Sequence, residues 1–296
     1  MKIICKFFPD SSKRKKLLLR FFPFLPLSLL SSLMVFPILM MMANSFMGSR
    51  ELLEAYGIIL GEGSSEFAPR LLPRYPTLRP YVELLLDSPD FFVMFWNSCR
   101  QVFPILLGQL LLGMPAAWAF ARYQFPGRRP LFLLYMILMV MPFQVTMVSS
   151  YLVLSRLSLM DTHMAIWLPG IFSTFPVFIM EKFFRAIPES LMEAARVDGA
   201  NALQLFWYMG IPLGAPGVMS SLLLNFLEYW NAMEAPMTFL KTKALLPLSL
   251  YLPQITTDQV SVSFAASVVM MLPAILGFLW GQEYLQQGIV ASGLKE

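Results

Sequence analysis

Charged residues are scarce in this sequence. Only 14% of its 296 residues are charged, whereas soluble domains of this length normally carry about a quarter. Two cysteines, Cys5 and Cys99, are too few for a disulfide framework, and the single histidine, His163, has no partner for a metal site. The sequence also lacks a glycine-rich phosphate loop of the form G-x-x-x-x-G-K-[ST]. These absences exclude a disulfide-stapled secreted domain and an ATPase that uses such a loop.

Apolar residues dominate instead. They make up 57% of the chain, with 26 Phe and 22 Met. A helix needs about 20 mostly apolar residues to cross a bilayer. The sequence therefore predicts an all-α, polytopic membrane protein whose transmembrane domain covers residues 22–283. Six spans are predicted at Phe22–Ala43, Phe92–Ala121, Leu131–Leu152, Met164–Met180, Leu213–Asn231 and Val260–Trp280.

Basic residues indicate the orientation. They form short clusters between the apolar runs rather than one basic face, which argues against nucleic acid as a partner. The Lys13–Lys16 cluster predicts a cytoplasmic N-terminus over residues 1–21. Alternation then puts segment 181–212 and the tail 284–296 in the cytoplasm, and loops 48–90 and 236–258 outside. The alternative is a signal peptide cleaved near Ser45, but its apolar region is too long for one.

The polar segment between the fourth and fifth spans predicts a short helix and a turn. Pro188 suits a first helical position, and Glu189 favours the positive end of the helix dipole. Ser190 with Glu193 offers an alternative start as a capping box. Gly199 suits the left-handed residue that ends a helix. The predicted apolar side consists of Leu191, Met192, Ala194 and Ala195. Such a helix either docks in a groove of another protein or rests on lipid headgroups.

The same segment resembles the EAA loop of permease subunits of binding-protein-dependent ATP-binding-cassette importers. That pattern is Glu-Ala-Ala, three residues, Gly, nine residues, then Ile-x-Leu-Pro. This chain has Glu193-Ala194-Ala195, Gly199 and Met209-Gly210-Ile211-Pro212 in the same register. Met209 and Ile211 differ from the usual residues but remain apolar. The Asp198-Gly199-Ala200 variant is similar to the carbohydrate branch of the family.

Similarity to maltose-type sugar permeases extends along most of the chain. With six predicted spans, the chain resembles the smaller, G-type subunit of such a system. The matching segments are Phe95–Ser98, Ala116–Arg122, Phe125–Arg128, Tyr229–Asn231 and Gly288–Lys295.

The resemblance implies the fold of a type I importer permease and a non-catalytic role without a bound cofactor. ATP and Mg would be held by a cytoplasmic ATPase dimer, in whose cleft the short helix docks. Glu193 would supply a charged contact, while Ala194 and Ala195 allow close packing. Asp198 and Gly199 would form the turn, and Pro212 would restart the next span.

The resemblance also implies a location and a set of partners. The chain would lie in the bacterial inner membrane with both termini in the cytoplasm. Its other partners would be a second, larger permease subunit, an extracytoplasmic solute-binding protein, membrane lipid and a sugar. An importer for a different solute, a membrane enzyme and a channel are the alternatives. The enzyme would need paired acids or a histidine cluster, which the sequence does not offer.

Polar residues of the fifth span are candidates for the translocation path. Asn225, Glu228 and Asn231 follow at three-residue steps, so they occupy about a third of the helix circumference. Glu234 lies just beyond, and Trp230 would offer a ring face to a sugar. Bonds to neighbouring helices, or a Glu228 that reaches the interface, would explain them equally well. Weaker candidates of the same kind are Gln101, Gln109 and Gln144.

The outer loop 236–258, with Lys241, Lys243 and Tyr251, corresponds in the family to a loop that can contact the solute-binding protein. A plain solvated loop is the alternative.

Overall fold

The computed structural model describes residues 24–57, 72–252 and 259–293. Helices dominate, and the described residues include no β-strand. The predicted all-α class is therefore confirmed. Five helical segments are long and apolar enough to cross a membrane, and a bent helix pair brings the number to six if it counts as one span. The five segments are Pro26–Asn44, Pro89–Arg122, Met164–Ala186, Ala202–Trp230 and Val260–Gln286.

The described chain divides into two compact units. The smaller one contains residues up to 83 together with residues 259–268 of the last helix. It holds α1 (Phe24–Asn44), α2 (Ser49–Tyr56) and the start of α3 (Arg79–Leu86). Hydroxyl groups connect its parts, since Ser45 Oγ lies 2.7 Å from the Tyr81 hydroxyl and Ser49 Oγ lies 2.8 Å from Ser261 Oγ. The predicted outer loop 48–90 is therefore structured where it is described.

The larger unit begins with one long helical segment of 34 residues, Pro89–Arg122. It consists of α4 (Pro89–Gly108), a π-helical turn (Gln109–Gly113) and α5 (Met114–Arg122). The π-helical turn is marked by the Met114 N–H, which bonds back five residues to the Gln109 carbonyl. Such a turn contains an extra residue and is often found where a helix must re-aim its side chains.

The third predicted span is broken. Helices α6 (Arg128–Val140) and α7 (Phe143–Arg156) meet at an angle of 106°. Met141 and Pro142 have extended backbone conformations between them. Proline disfavours helical conformation in the residue before it and cannot donate a backbone hydrogen bond. The predicted span Leu131–Leu152 is therefore two helices joined at a sharp bend.

The later spans are longer than predicted. The fourth consists of α8 (Met164–Ile171) and α9 (Thr174–Ala186), which extends past the predicted end at Met180. After the short helix α10 (Glu189–Val197), the fifth consists of α11 (Ala202–Gln204), a second π-helical turn (Leu205–Gly210) and α12 (Ile211–Trp230). After α13 (Glu234–Phe239) and two 3-10 turns, Lys243–Leu245 and Leu248–Leu250, comes α14 (Val260–Gly293). This last helix covers most of the predicted tail.

The start of the fifth span was misplaced by eleven residues, from Ala202 to Leu213. A capping box fixes the true start, because the Asn201 side chain accepts from the Gln204 N–H at 2.9 Å. In return, the Gln204 side chain accepts from the Asn201 N–H at 2.8 Å. Pro212 is therefore the second residue of α12, directly after the π-helical turn and Ile211, and it does not begin the span.

Helix α9 packs against both α5 and α12. Two glycines allow the close approach of α12, because a Cβ at Gly214 or Gly217 would collide with the rings of Phe184 and Phe183. The resulting buried cluster includes residues of the short helix α10 and of the second π-helical turn. Its members are Met114, Ala117, Trp118, Phe120, Val177, Met180, Phe184, Ile187, Met192, Leu205, Phe206 and Val218.

Candidate coupling helix and polar residues of the spans

Helix α10 begins at Glu189, directly after Pro188 in an extended conformation. The sequence suggested Pro188 as the first residue of the helix, but it is the residue before the helix. Glu189 lies in the first turn, where a carboxylate is favoured by the helix dipole. The alternative start, with Ser190 as a cap, is wrong because Ser190 already lies inside the helix.

The end of α10 is confirmed as a glycine-terminated turn. Gly199 has φ = +88°, which is the left-handed region. Its N–H bonds to the Arg196 carbonyl and the Ala200 N–H bonds to the Ala195 carbonyl, both at 3.0 Å. This pair of bonds is the Schellman motif, which satisfies carbonyls at the end of a helix. Asp198 occupies the last half-helical position before the glycine.

The predicted apolar side of α10 is divided between two faces. Met192 is 1% exposed and belongs to the buried cluster, and Ala195 packs against the same cluster. Ala194, which we had placed with them, is exposed on the other side together with Glu193. Val197 continues this exposed face and is 87% exposed. The exposed face of the helix thus carries a carboxylate, a small residue and an apolar residue.

Arg122 attaches α10 to the end of the second span. Its side chain is only 7% exposed. One Nη atom donates to the carbonyls of Phe184 (2.6 Å) and Ile187 (2.5 Å), and the other donates to the Glu189 carboxylate (2.8 Å). Sequence reasoning missed this role. The signal was present as a lone arginine at the end of an apolar run, followed 67 residues later by the acid at the start of the polar segment.

Glu189 has a second cationic partner on α10 itself. Arg196 Nη1 donates to its carboxylate at 2.9 Å. This hydrogen bond, together with the charges of Arg122 and Arg196, lowers the pKa of Glu189 below its ordinary value. The carboxylate therefore stays ionised at neutral pH and connects the helix α10 to α5.

Asn225 does not face a path within this chain. Its side chain is fully buried, and its Nδ2 donates to the Ser221 carbonyl at 2.8 Å. Gln109 lies in the first π-helical turn, and its Nε2 bonds to the Gly170 carbonyl at 2.9 Å and to Asn225 Oδ1 at 3.3 Å. Both residues were candidates for the path, but their side chains form hydrogen bonds within the chain. They join three spans instead.

The ring of Trp230, which was expected to meet a sugar, is packed inside the chain. It is 5% exposed and packs between the rings of Phe95 and Phe226, whose centroids lie 5.9 and 5.5 Å away. Its indole N–H points to the Met270 carbonyl at 3.3 Å. Trp230 therefore packs the fifth span against its neighbours.

The remaining path candidates are exposed. Glu228, Asn231 and Glu234 all lie at the surface of the chain. Asn231 donates to the Leu227 carbonyl of its own helix at 2.8 Å. Glu234 accepts from Gln144 Nε2 at 2.7 Å, so the structure brings together two residues that the sequence did not connect.

Helix α4 holds the second predicted outer loop, residues 236–258, in place. Asn97 Nδ2 donates to the carbonyls of Ala244 (2.6 Å) and Leu246 (3.1 Å), and Gln101 Nε2 donates to that of Leu245 (3.1 Å). Residues 244–248 are therefore not a plain solvated loop. Gln101, a weaker candidate for the path, serves this attachment.

Asp161 fixes the preceding part of the loop. It has φ = +58° and its carboxylate accepts from the N–H groups of Lys241 and Thr242, both at 2.8 Å, and from the Thr242 hydroxyl at 2.6 Å. These bonds, chiefly those from Thr242, lower the pKa of Asp161. Lys241 and Lys243 remain exposed at the tip of the loop. Tyr251 is buried, with its ring 5.3 Å from that of Phe91.

Comparison with known proteins gives matches over most of the chain. A family described as "binding-protein-dependent transport system inner membrane component" matches residues 109–291. The arabinooligosaccharides transport system permease protein AraQ of Halalkalibacterium halodurans is 29% identical over 264 residues, which cover 88% of this chain and 91% of AraQ.

Two further proteins are similar over most of their length. The osmoprotective compounds uptake permease protein GgtD of Synechocystis is 30% identical over 218 residues, which cover 71% of this chain and 73% of GgtD. Among solved structures, a chain of a bacterial ABC transporter involved in the import of the acidic polysaccharide alginate superposes with a TM-score of 0.76. The match covers 94% of this chain and 99% of that chain at 22% identity, so it bears on the fold.

Proposed function

Since this chain belongs to the binding-protein-dependent transport system inner membrane component family, we propose that α10 is the coupling helix through which a separate ATPase drives it. The chain is a permease subunit of an ATP-binding-cassette importer. Its partners under this proposal are a second, larger permease subunit, a dimeric ATPase that binds ATP and Mg in the cytoplasm, and an extracytoplasmic solute-binding protein. Both termini would lie in the cytoplasm.

One observation carries the proposal: α10 has one face attached to the chain and one face without intrachain cover. Met192 and the Arg122–Glu189 pair hold the first face. Glu193, Ala194 and Val197 form the second. A helix with an exposed small residue and an exposed apolar residue fits a groove on another protein, which is a common mode of helix recognition.

The contacts of Arg122 and Met192 would transmit a movement of α10 to the spans. A closing ATPase dimer would displace α10, and a helix gripped differently in the two ATPase states supplies the differential contact that coupling requires. Arg122 would pass the movement to α5, because it is bonded to both elements. Met192 would pass it to the cluster between α5, α9 and α12. Ala195 and Asp198 serve the turn geometry, and Pro212 follows the π-helical turn.

We propose a sugar or oligosaccharide as the solute. AraQ is named for arabinooligosaccharides, which favours this class. GgtD is named for osmoprotective compounds, so a non-sugar solute is the second candidate. Glu228, Asn231 and Glu234 are the candidate path residues, since their polar groups lie at the surface of the chain. The exposed Lys241 and Lys243 at the loop tip would meet the solute-binding protein.

The coupling proposal is tested by changing the exposed face of α10. Glu193→Ala removes the carboxylate, and Ala194→Trp fills the place where a groove wall would approach. In the assembled transporter, we expect Glu193→Ala to weaken ATPase binding by about ten- to a hundredfold, since a hydrogen bond to a charged group contributes about 1.5–3 kcal/mol. Binding is measured from the ATPase fraction that stays with the permease during purification at graded dilution.

Asp87→Ala is the matched control, because it removes an exposed carboxylate at residues predicted to lie outside. Full ATPase binding and full uptake with both α10 variants would contradict the coupling role.

The solute is tested with the reconstituted transporter. Candidate binding proteins are added with arabinooligosaccharides, other sugars or small osmoprotectants, and ATP hydrolysis is measured. Stimulation by a sugar-loaded binding protein is expected. Stimulation by osmoprotectants alone would contradict the sugar assignment and leave the importer assignment intact.

A further inference from the structure

The end of α9 that leads into α10 also borders an open cavity of about 640 Å³. It lies between the start of α6, the connection before it and the last turn of α9. Cavities of this size accommodate small ligands. Its lining residues are Gln124, Phe125, Gly127, Arg128, Arg129, Pro130, Phe132 and Arg185. Three of them are arginines and none is acidic.

Two of the arginines lack a direct partner, although the charge of Glu181 acts on Arg128 through space. Within the described residues, the side chains of Arg128 and Arg129 form no ion pair or hydrogen bond. Arg185 forms an ion pair with Glu181, which is fully buried. One buried carboxylate therefore stands against three guanidinium groups, and the cavity keeps a positive charge that attracts an anion. Guanidinium groups match phosphate well because they can donate two parallel hydrogen bonds.

Aromatic rings form the apolar side of the same region. The ring of Phe132 stacks on that of Phe178 with centroids 6.2 Å apart. Arg185 lies over Phe132 at 5.9 Å, and Lys182 Nζ lies over Phe178 at 5.1 Å. Both cations therefore lie over aromatic rings of α6 and α9. These helices belong to segments that are apolar enough to cross a membrane. Cations above rings at the end of spans are expected at the level of lipid headgroups.

We propose that this cavity binds the phosphate of an anionic phospholipid headgroup, with Arg128, Arg129 and Arg185 as its donors. The proposed function puts this end of α9 in the cytoplasm, so the lipid would belong to the cytoplasmic leaflet. Phe132 and Phe178 lie where the lipid passes from headgroup to acyl chains. Because Arg185 is four residues from the start of α10, the bound lipid would brace the base of the coupling helix.

The test is a lipid titration of the purified full-length chain in detergent, followed by native mass spectrometry. The probe is phosphatidylglycerol, compared with phosphatidylethanolamine of the same acyl chains. Each arginine near an anionic headgroup is worth about a fivefold change in affinity. For the double variant Arg128→Gln, Arg129→Gln, we therefore expect the Kd for phosphatidylglycerol to rise about 25-fold. The variant leaves the Arg185–Glu181 pair intact, so no buried carboxylate loses its partner.

Two controls accompany the titration. Arg50→Gln with Arg74→Gln removes the same charge from the segment predicted to lie outside and is expected to change the Kd less than twofold. Arg128→Lys with Arg129→Lys keeps the charge and is expected to retain binding within about fivefold, which verifies that the site tolerates substitution.

Several results would overturn the proposal. One is an unchanged Kd for phosphatidylglycerol in the Gln double variant, and another is equally tight binding of phosphatidylethanolamine. Displacement of the lipid by millimolar inorganic phosphate would assign the cavity to a soluble anion instead. In a separate assay of the assembled transporter, loss of ATPase binding by the Gln double variant, together with normal lipid binding in the titration, would make the arginines a protein-docking contact. The titration needs no partner protein, so its failure is distinguishable from failure of the importer assignment.

Discussion

Replacing Arg122 by Ala should release α10 from the rest of the permease. The side chain is nearly buried and its Nη2 donates to two carbonyls at the end of α9, at 2.5 and 2.6 Å. Each hydrogen bond from a charged donor contributes about 1.5–3 kcal/mol. The bond to Glu189 adds less than about 1 kcal/mol, because that carboxylate is half exposed and solvent screens it. We therefore expect local destabilisation of about 4 kcal/mol, or roughly a thousandfold in the opening equilibrium.

Hydrogen exchange measures this opening directly, since amide protection reports the free energy of local unfolding. In the assembled transporter, amides of 189–200 should lose most of their protection in Arg122→Ala. Those of Ile105 and Leu106 in α4 should keep theirs. Arg122→Lys should show an intermediate loss, because one ammonium group cannot reach all three acceptors in the geometry of a guanidinium.

Arg156→Ala, an exposed arginine at the end of α7, is the control and should leave α10 unchanged. ATP hydrolysis should also become less dependent on the loaded binding protein in Arg122→Ala. Unchanged protection of 189–200 together with unchanged coupling would refute the idea that this arginine transmits force.

Two further predictions concern single turns. Gly199→Ala should destabilise the end of α10 by about 1–2 kcal/mol. No described atom lies within 4 Å of the new Cβ, so this cost comes from the left-handed conformation alone. Gly199→Asn should lose less stability, and equal hydrogen exchange at 198–200 in both variants would contradict this. Asp161 has a lowered pKa in the folded chain, so its stabilising bonds are complete above about pH 4 and are lost as pH falls through the folded-state pKa. A nitroxide label is attached through Lys243→Cys in a chain whose Cys5 and Cys99 are replaced by Ser. Its mobility should therefore increase only in acid, whereas Asp161→Ala should show the increased mobility at neutral pH. Label mobility that does not change with pH would refute this prediction.

The helical class and the approximate places of the spans could be predicted from the sequence because apolar length is a local property. The glycine end of α10 could be predicted for the same reason, since Gly199 needs only its own backbone conformation. The broken third span was harder. Pro142 signals a kink, but the angle of 106° depends on how α6 and α7 pack against other helices.

The roles of polar residues could not be predicted from periodicity alone. Asn225 and Glu228 are three residues apart, yet one is fully buried and the other exposed. Their fates are decided by partners distant in sequence, such as Gln109, whose position depends on the extra residue of a π-helical turn. Arg122 was missed for the same reason, because its three acceptors lie more than 60 residues away.

The second π-helical turn explains why the spacing within the EAA pattern is a matter of length as well as composition. The segment from Gly199 to Pro212 contains three features in order. They are the left-handed glycine, the helix capped by Asn201 and the π-helical turn Leu205–Gly210, which holds one extra residue. Adding or deleting one residue there would rotate α10 by about 100° about the axis of the fifth span relative to α12. Leu205 and Phe206 would then leave the buried cluster that contains Met192. The exposed face of α10 would point in a different direction relative to α12. The number of residues between Gly199 and Pro212 therefore sets the direction in which the exposed face of α10 points relative to the fifth span.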